Sequence, residues 1–307
     1  MSRYDRPVSG HVDPAALAGQ SGAAARTIPN LLTVAGVDPS GGAGVLADIK
    51  TFSALRAYGC AVICALTAQN TRAVTGIEGV STDFIRLQID TLFDDVRIDS
   101  AKLGMLGTAA IARTVADALG PLLASGQLPA LVVDPVMVSK GGDVLLPADA
   151  IRMLTEAVLP LATVITPNLP EAALLLGQSA PTSVPDMYRA AERLRRLMSD
   201  SGMRWVLLKG GHMPGDPVDL LFDGERMIEL SSPRIDTPNV HGTGCTLSAA
   251  LIPQLHDVPA APRAARDYLA GALSASGQLQ VGRRVDGRGH GPVHHFHALW
   301  GQRHGGA

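Results

Sequence analysis

Gly242-Thr243-Gly244-Cys245-Thr246 joins a glycine-rich turn to a thiol at the start of a stretch, Leu247-Ser248-Ala249-Ala250-Leu251, that reads as a helix. N–H groups in the first turn of a helix lack intrahelical partners. This turn can therefore gather around an anion such as a phosphate, and the helix dipole favours negative charge there. The same field favours a thiolate, which makes Cys245 a candidate base or nucleophile near neutral pH, with Gly242, Thr243 and Gly244 as the anion-binding turn. A plain glycine-containing loop, with a threonine near a cap and a small buried cysteine, is the competing reading of this pentapeptide.

Further polar residues stand where apolar runs end. Gly36-Val37-Asp38-Pro39-Ser40-Gly41-Gly42-Ala43-Gly44 follows the first apolar run, and Asp48 lies one turn into the next helical stretch. Gly42 to Ala47 matches the dinucleotide fingerprint, but the second run ends Thr67-Ala68-Gln69-Asn70, with no acid to hold a ribose, so the match is accidental. Asp48 either accepts from a substrate hydroxyl or amine or is an acid favoured by the helix dipole. Gln69 presents a donor and an acceptor, which suits the edge of a heterocycle; capping a turn is the other use. Met105 is a ring-stacking surface or core filler. Asp134 leaves a buried run just before Val136 and suits the outer coordination of Mg²⁺, which keeps several waters and bridges to phosphate; Lys140-Gly141-Gly142-Asp143 follow. Asn168 and Glu171 have capping-box spacing as well as exposed polar groups. Lys209, in Lys209-Gly210-Gly211-His212, can neutralise phosphate charge. Cys60 and Cys64 read as buried small hydrophobes, and His294, His295 and His297 have no regular element to converge them on a metal.

The elements that must position these residues alternate. Strands are expected over 31–35, 61–66, 101–105, 130–133, 163–165 and 205–208. Helices are expected over 46–58, 83–96, 109–123, 148–158, 170–176, 187–199 and after Cys245. Apolar strands alternating with helices imply a mainly parallel sheet covered on both faces, with ligands beyond the carboxyl ends of the strands. Asp223-Gly224, between 219–222 and 227–230, predicts an antiparallel hairpin at a sheet edge. Segments 258–266 and 283–291 read as surface loops. Residues 1–28 read as a flexible extension without a signal-peptide core, and 29–307 as a single domain. A net charge of −2 gives no basic footprint for nucleic acid. No apolar run is long enough to span a membrane, and three irregularly spaced cysteines fit a reducing cytoplasm better than a disulfide framework.

Taken in order, the glycine loop at 35–44, Ala68-Gln69-Asn70-Thr71, Lys102-Leu103-Gly104-Met105-Leu106, Asp134-Pro135-Val136-Met137, Thr166-Pro167-Asn168-Leu169-Pro170-Glu171-Ala172, Lys209-Gly210-Gly211-His212 and His241-Gly242-Thr243-Gly244-Cys245-Thr246 resemble the hydroxymethylpyrimidine/phosphomethylpyrimidine kinases of thiamine biosynthesis. The resemblance runs from about Leu32 to His297. It implies a ribokinase-like three-layer αβα sandwich with a central mainly parallel sheet and an antiparallel edge hairpin. It implies ATP- and Mg²⁺-dependent phosphorylation of 4-amino-5-hydroxymethyl-2-methylpyrimidine and then of its monophosphate, by a homodimer. It places the pyrimidine against Gly36, Asp48, Gln69, Met105 and Val136, the base at Cys245 and the anion hole at Gly242, Thr243 and Gly244. Lys209, Thr243 and Asn168 would meet the nucleotide, and Asp134 and Glu171 would organise Mg²⁺.

Val37 stands where relatives often carry Ser or Thr, and the extension before Leu31 has no counterpart. A pyridoxal or pyridoxine kinase is the nearest alternative, since related enzymes carry the same Gly-Thr-Gly-Cys turn; Gln69 with Met105 favours an aminopyrimidine. A cysteine hydrolase using His241 or His212 would not explain the Asp134 and Glu171 pair, the absent ribose acid disfavours a dehydrogenase, and a non-enzymatic pyrimidine binder would show binding without turnover.

Overall fold

The computed structural model describes residues 28–137, 146–252, 257–283 and 289–300. The N-terminal extension, Lys140 to Asp143 and the middle of the 283–291 segment lie outside the described residues. Nine strands form one sheet in the order β3-β2-β1-β4-β5-β6-β7-β8-β9. They are β1 (Asn30–Val37), β2 (Tyr58–Gln69), β3 (Val74–Gly79), β4 (Ser100–Leu103), β5 (Leu131–Val133), β6 (Val164–Ile165), β7 (Trp205–Leu208), β8 (Val218–Phe222) and β9 (Met227–Ser231). From β2 through β7 neighbouring strands are parallel, and β8 and β9 form the expected antiparallel hairpin at one edge. The short central strands are buried along their length, which is why they read as apolar runs without alternation.

The helices are α1 (Gly44–Ala54), α2 (Thr82–Asp95), α3 (Ala109–Ala124), α4 (Ala148–Met153), α5 (Leu169–Leu176), α6 (Val184–Arg195), α7 (Thr243–Leu251) and α8 (Ala261–Ser274). Residues of α2, α3, α5 and α6, such as Ile89, Val115, Leu169 and Leu194, share one apolar core with one face of the sheet. Phe52 of α1, Leu247 and Leu251 of α7 and Leu269 of α8 fill the core on the other face. The result is three layers, and Ala, Val, Leu and Ile supply most of both cores.

Several segments depart from the expected boundaries, among them the helix expected over 46–58, which ends at Ala54 with Tyr58 already in β2. Strand β3, antiparallel to β2, was not foreseen: Val74-Thr75-Gly76-Ile77-Glu78-Gly79 carries two glycines and is largely exposed, so its alternation is weak. The segment at 258–266 is not a loop throughout, because α8 begins at Ala261 with Pro262 in its first turn, where a missing N–H costs nothing. The helix expected over 148–158 is α4 followed by a π turn, Leu154–Val158.

Candidate active site

The parallel strands deliver their carboxyl ends to one side of the sheet, and a cavity of about 350 Å³ opens there. Its wall includes Gly36, Gln69, Met105 and Val136, then Asp134, Asn168, Glu171 and Lys209, and finally the turn from Gly242 to Cys245. Twelve of the thirteen residues that the resemblance assigns to the site therefore meet around one space, although they are scattered from 36 to 245; Asp48 is the thirteenth.

Two helix N-termini face this cavity. Gly242 caps α7 in the left-handed region (φ 78°), and a Cβ there would overlap the Gly42 carbonyl oxygen of the turn that opens α1. Close approach of the two turns thus requires glycine at 242. Cys245 sits in the first turn of α7, and the Gly44 N–H, at the start of α1, donates to its sulfur. The helix terminus alone does not hold Cys245 as a thiolate near neutrality. Desolvation pushes Cys245 up to about 11; Lys102 and the Gly44 N–H pull it down, while Asp48 and Asp134 add to the rise. Burial outweighs the helix terminus because the half-buried thiol sits low among protein atoms at the cavity wall and shares its surroundings with two carboxylates.

At one end of the cavity, the Gly36 N–H donates to the Met105 carbonyl at 3.1 Å, which holds the end of β1 against the segment after β4. The Thr67 hydroxyl lies 2.9 Å from the Val37 carbonyl oxygen and 3.1 Å from Gln69 Oε1, so a hydroxyl stands on this wall although position 37 is a valine. Asn70 is turned away from this task, since its Oδ1 accepts from the Arg72 and Ala73 N–H groups in the β2–β3 turn.

Asp48 is set back from the expected wall. It is fully buried in α1 and absent from the cavity lining, with Oδ2 accepting from Thr33 Oγ1 at 2.6 Å and both oxygens 2.8 Å from Lys102 Nζ. Both of its oxygens are engaged by an ammonium and a hydroxyl inside the protein. Lys102 borders the cavity, although it is no more exposed than Asp48. Burial alone would lower Lys102, but Asp48, Cys245 and Asp134 hold the ammonium well above the usual lysine range. The sequence offered a signal: a lysine inside a buried apolar strand requires a charged partner.

Across the cavity, Asp134 Oδ1 accepts from Lys209 Nζ and from Thr166 Oγ1, both at 2.9 Å, and Oδ2 accepts from Ser248 Oγ at 3.2 Å. Burial would raise this carboxyl, but Lys209 and Lys102 reverse it and keep Asp134 below the ordinary aspartate value. Lys209 also lies 3.8 Å from Glu171 Oε2. Glu171 and Asn168 form the capping box of α5, with Asn168 N–H donating to Glu171 Oε2 at 2.7 Å and Glu171 N–H donating to Asn168 Oδ1 at 2.8 Å. Structural and site positions coincide here, because a helix N-terminus at a strand end opens on the cavity. Among the described residues no group of three His, Cys, Asp or Glu side chains is placed to hold a metal. Two carboxylates flanking one ammonium instead suit a cation held through phosphate oxygens and water.

Cys60 and Cys64 lie in the core as expected, and desolvation pushes Cys64 up to about 12. The histidines near the C-terminus are each engaged separately: His295 Nε2 with Thr246 Oγ1 at 3.1 Å, His297 against Tyr268, and His294 against Trp300.

A mainly parallel sheet clad on both faces, with two helix N-termini and a lysine-bridged pair of carboxylates at its carboxyl edge, is the arrangement of a ribokinase-like small-molecule kinase. The family described as phosphomethylpyrimidine kinase matches residues 38–294. A hydroxymethylpyrimidine/phosphomethylpyrimidine kinase of Rhizobium meliloti is 46% identical over 273 residues, covering 88% of this chain and 97% of that protein. The crystal structure of the Clostridium difficile phosphomethylpyrimidine kinase superposes with a TM-score of 0.68 at 36% identity, covering 80% of this chain and 99% of that one. The ADP complex of Bacillus subtilis pyridoxal kinase superposes with a TM-score of 0.76 at 34% identity, covering 89% and 99%. The chain belongs to the phosphomethylpyrimidine kinase family.

Proposed function

We propose that this chain transfers the γ-phosphoryl group of ATP to the hydroxymethyl oxygen of 4-amino-5-hydroxymethyl-2-methylpyrimidine, and then phosphorylates the monophosphate, for thiamine diphosphate synthesis. The observation that carries this reading is the shared cavity: a pocket walled by Gly36, Gln69, Met105 and Val136 opens directly onto the N-termini of α1 and α7. A flat heterocycle with one primary alcohol fits between them. Gln69 would read the ring's polar edge and Met105 would cover its face. Gly242, Thr243 and Gly244 would surround the transferred phosphoryl, where oriented N–H groups offset developing charge. Lys209, Thr243 and Asn168 would face the nucleotide. Asp134 and Glu171 would hold Mg²⁺ through water and phosphate oxygens, and when bound that ion would supply further charge neutralisation.

In this reading the hydroxyl oxygen attacks phosphorus, ADP departs, and the hydroxyl proton passes to Cys245 as thiolate. With the thiol pKa at about 11, the base form is scarce, about one site in 10⁴ at pH 7, but strong. In a loose transition state proton loss comes late, so positioning and electrostatics do most of the work. Asp48 acts from behind the wall by fixing Lys102 rather than by touching substrate. Residues 29–307 as one domain, a homodimer and a cytoplasmic setting for the three free thiols belong to the same reading; among the described residues no helix is long and apolar enough to cross a membrane.

The pyridoxal kinase alternative draws on the Bacillus subtilis superposition. Incubation with ATP and Mg²⁺ and either hydroxymethylpyrimidine, its monophosphate or pyridoxal, with products resolved by mass spectrometry, decides between them. Pyrimidine mono- and diphosphates are expected. Pyridoxal phosphate as the sole product would keep the fold and overturn the substrate.

A further inference from the structure

One cavity-lining pair has no part in the chemistry above. Asp38, which follows β1, is 2% exposed, and its carboxylate accepts from the Ser40 N–H at 2.8 Å, the Ser40 hydroxyl at 2.9 Å and the Ala43 N–H at 3.0 Å. Those bonds shape the turn that leads into α1. Its fourth partner lies 203 residues away: His241 Nε2 is 2.6 Å from Asp38 Oδ2. His241 immediately precedes Gly242, and its ring rests so close to Gly42 that a Cβ on Gly42 would overlap it. The His241 backbone is itself tied down, its N–H donating to the Gly291 carbonyl at 3.0 Å. The turns that open α1 and α7 are therefore joined by one short side-chain bond and by glycine-on-glycine contact, and both open on the cavity.

We infer that His241, acting through Asp38, is a positioning residue for phosphoryl transfer, locking the Gly242 turn against the Gly42 turn so that the first-turn N–H groups of two helices converge on one point. This rests on reading the N-terminus of α7 as the transfer site. A short bond to a carboxylate is the kind that fixes geometry. A displacement of about 1 Å at a reacting centre costs on the order of 10²-fold in rate. The pyrimidine wall is carried mainly by β2 and the segments after β4 and β5, and its β1 residue, Gly36, is fixed separately by its N–H bond to the Met105 carbonyl, so the loss should fall on kcat and spare the pyrimidine KM.

Steady-state kinetics on the full chain test this with four variants. His241→Leu keeps bulk against Gly42 without the bond, His241→Gln keeps an N–H that reaches Asp38, Asp38→Asn weakens the acceptor, and the fourth combines Asp38→Asn with His241→Leu. His241→Leu should lower kcat roughly 10- to 100-fold and leave the pyrimidine KM within about two-fold. His241→Gln should recover most of the loss, and the double variant should be no worse than its worse parent, as for residues acting as a unit. A folded His241→Leu with wild-type kcat, equal impairment of Leu and Gln, or a loss seated in the pyrimidine KM would overturn the inference. Should His241→Leu not fold, Asp38→Asn must reproduce the kcat loss at unchanged pyrimidine KM, or the inference fails. Gly242→Ala separates the two levels. If it is fully active, α7 is not the transfer site; if it is inactive while His241→Leu is normal, only the positioning role falls.

Discussion

Lys102→Met removes the ammonium that neutralises Asp48 and leaves an unbranched side chain in the same slot. Both side chains are fully buried, and Nζ lies 2.8 Å from each carboxylate oxygen. The variant strands a carboxylate in the interior with the Thr33 hydroxyl at 2.6 Å still donating to it. Deleting one partner of a buried pair costs about 3–5 kcal/mol. At roughly 2–4 °C of Tm per kcal/mol for a chain of this size, Tm should fall by roughly 6–20 °C near neutral pH. The pH dependence gives a sharper test. Burial already pushes Asp48 above its ordinary 3.8 against the pull of Lys102, and without Lys102 it rises further. A carboxyl raised in the folded state contributes stability that is complete below its unfolded pKa. That stability is lost as pH rises toward the folded pKa, at about 1.4 kcal/mol per pH unit. The Tm gap to wild type should therefore widen from about pH 4.5 to about pH 7. Adding Asp48→Asn removes the buried charge and should restore most of the loss and abolish the widening. Differential scanning calorimetry across that range is the assay. A gap below about 2 °C at pH 7, or one flat with pH, would refute the claim that this pair is a neutralised buried charge.

Four other outcomes are expected. Alkylation of Cys245 by iodoacetamide, followed by mass spectrometry, should be slow at neutral pH and rise about tenfold per pH unit up to about 10, because desolvation holds the thiol at about 11; fast alkylation independent of pH would contradict the burial argument. In the same protein Cys245→Ala should cut kcat by about 10²-fold or more while pyrimidine binding by calorimetry is retained, and a fully active variant would remove Cys245 as base. Gln69→Ala should weaken pyrimidine binding by roughly 1–3 kcal/mol and leave nucleotide affinity unchanged; equal effects on both would place Gln69 elsewhere. His295 is 4% exposed, and burial together with neighbouring cations pushes its pKa down to about 3. A histidine depressed in the folded state contributes stability present above its unfolded pKa and lost as pH falls, so His295→Gln should flatten the acid limb of Tm between about pH 6.5 and 4; an unchanged limb would mean that His295 is not held neutral.

The alternation of buried strands and helices, the β8–β9 hairpin and the residues at strand ends are legible along the chain, because hydrophobic period and turn chemistry are local properties. So is the capping box at Asn168 and Glu171, whose two bonds span three residues. Strand β3 and helix α8 were hidden because glycines in one and Pro, Ala and Arg in the other mask their periods, and pairing with β2 or packing on α7 supplies what propensity does not. Where charge goes once water is excluded is set by contacts between distant segments. Asp48 and Lys102 are 54 residues apart, and no local pattern shows that they face each other inside the protein rather than a ligand. Nothing around Gly242 announces that burial outweighs the helix terminus at Cys245, or that His241 reaches Asp38 across 203 residues. Those outcomes depend on desolvation and on distances between side chains, which exist only once the sheet has brought its strand ends together.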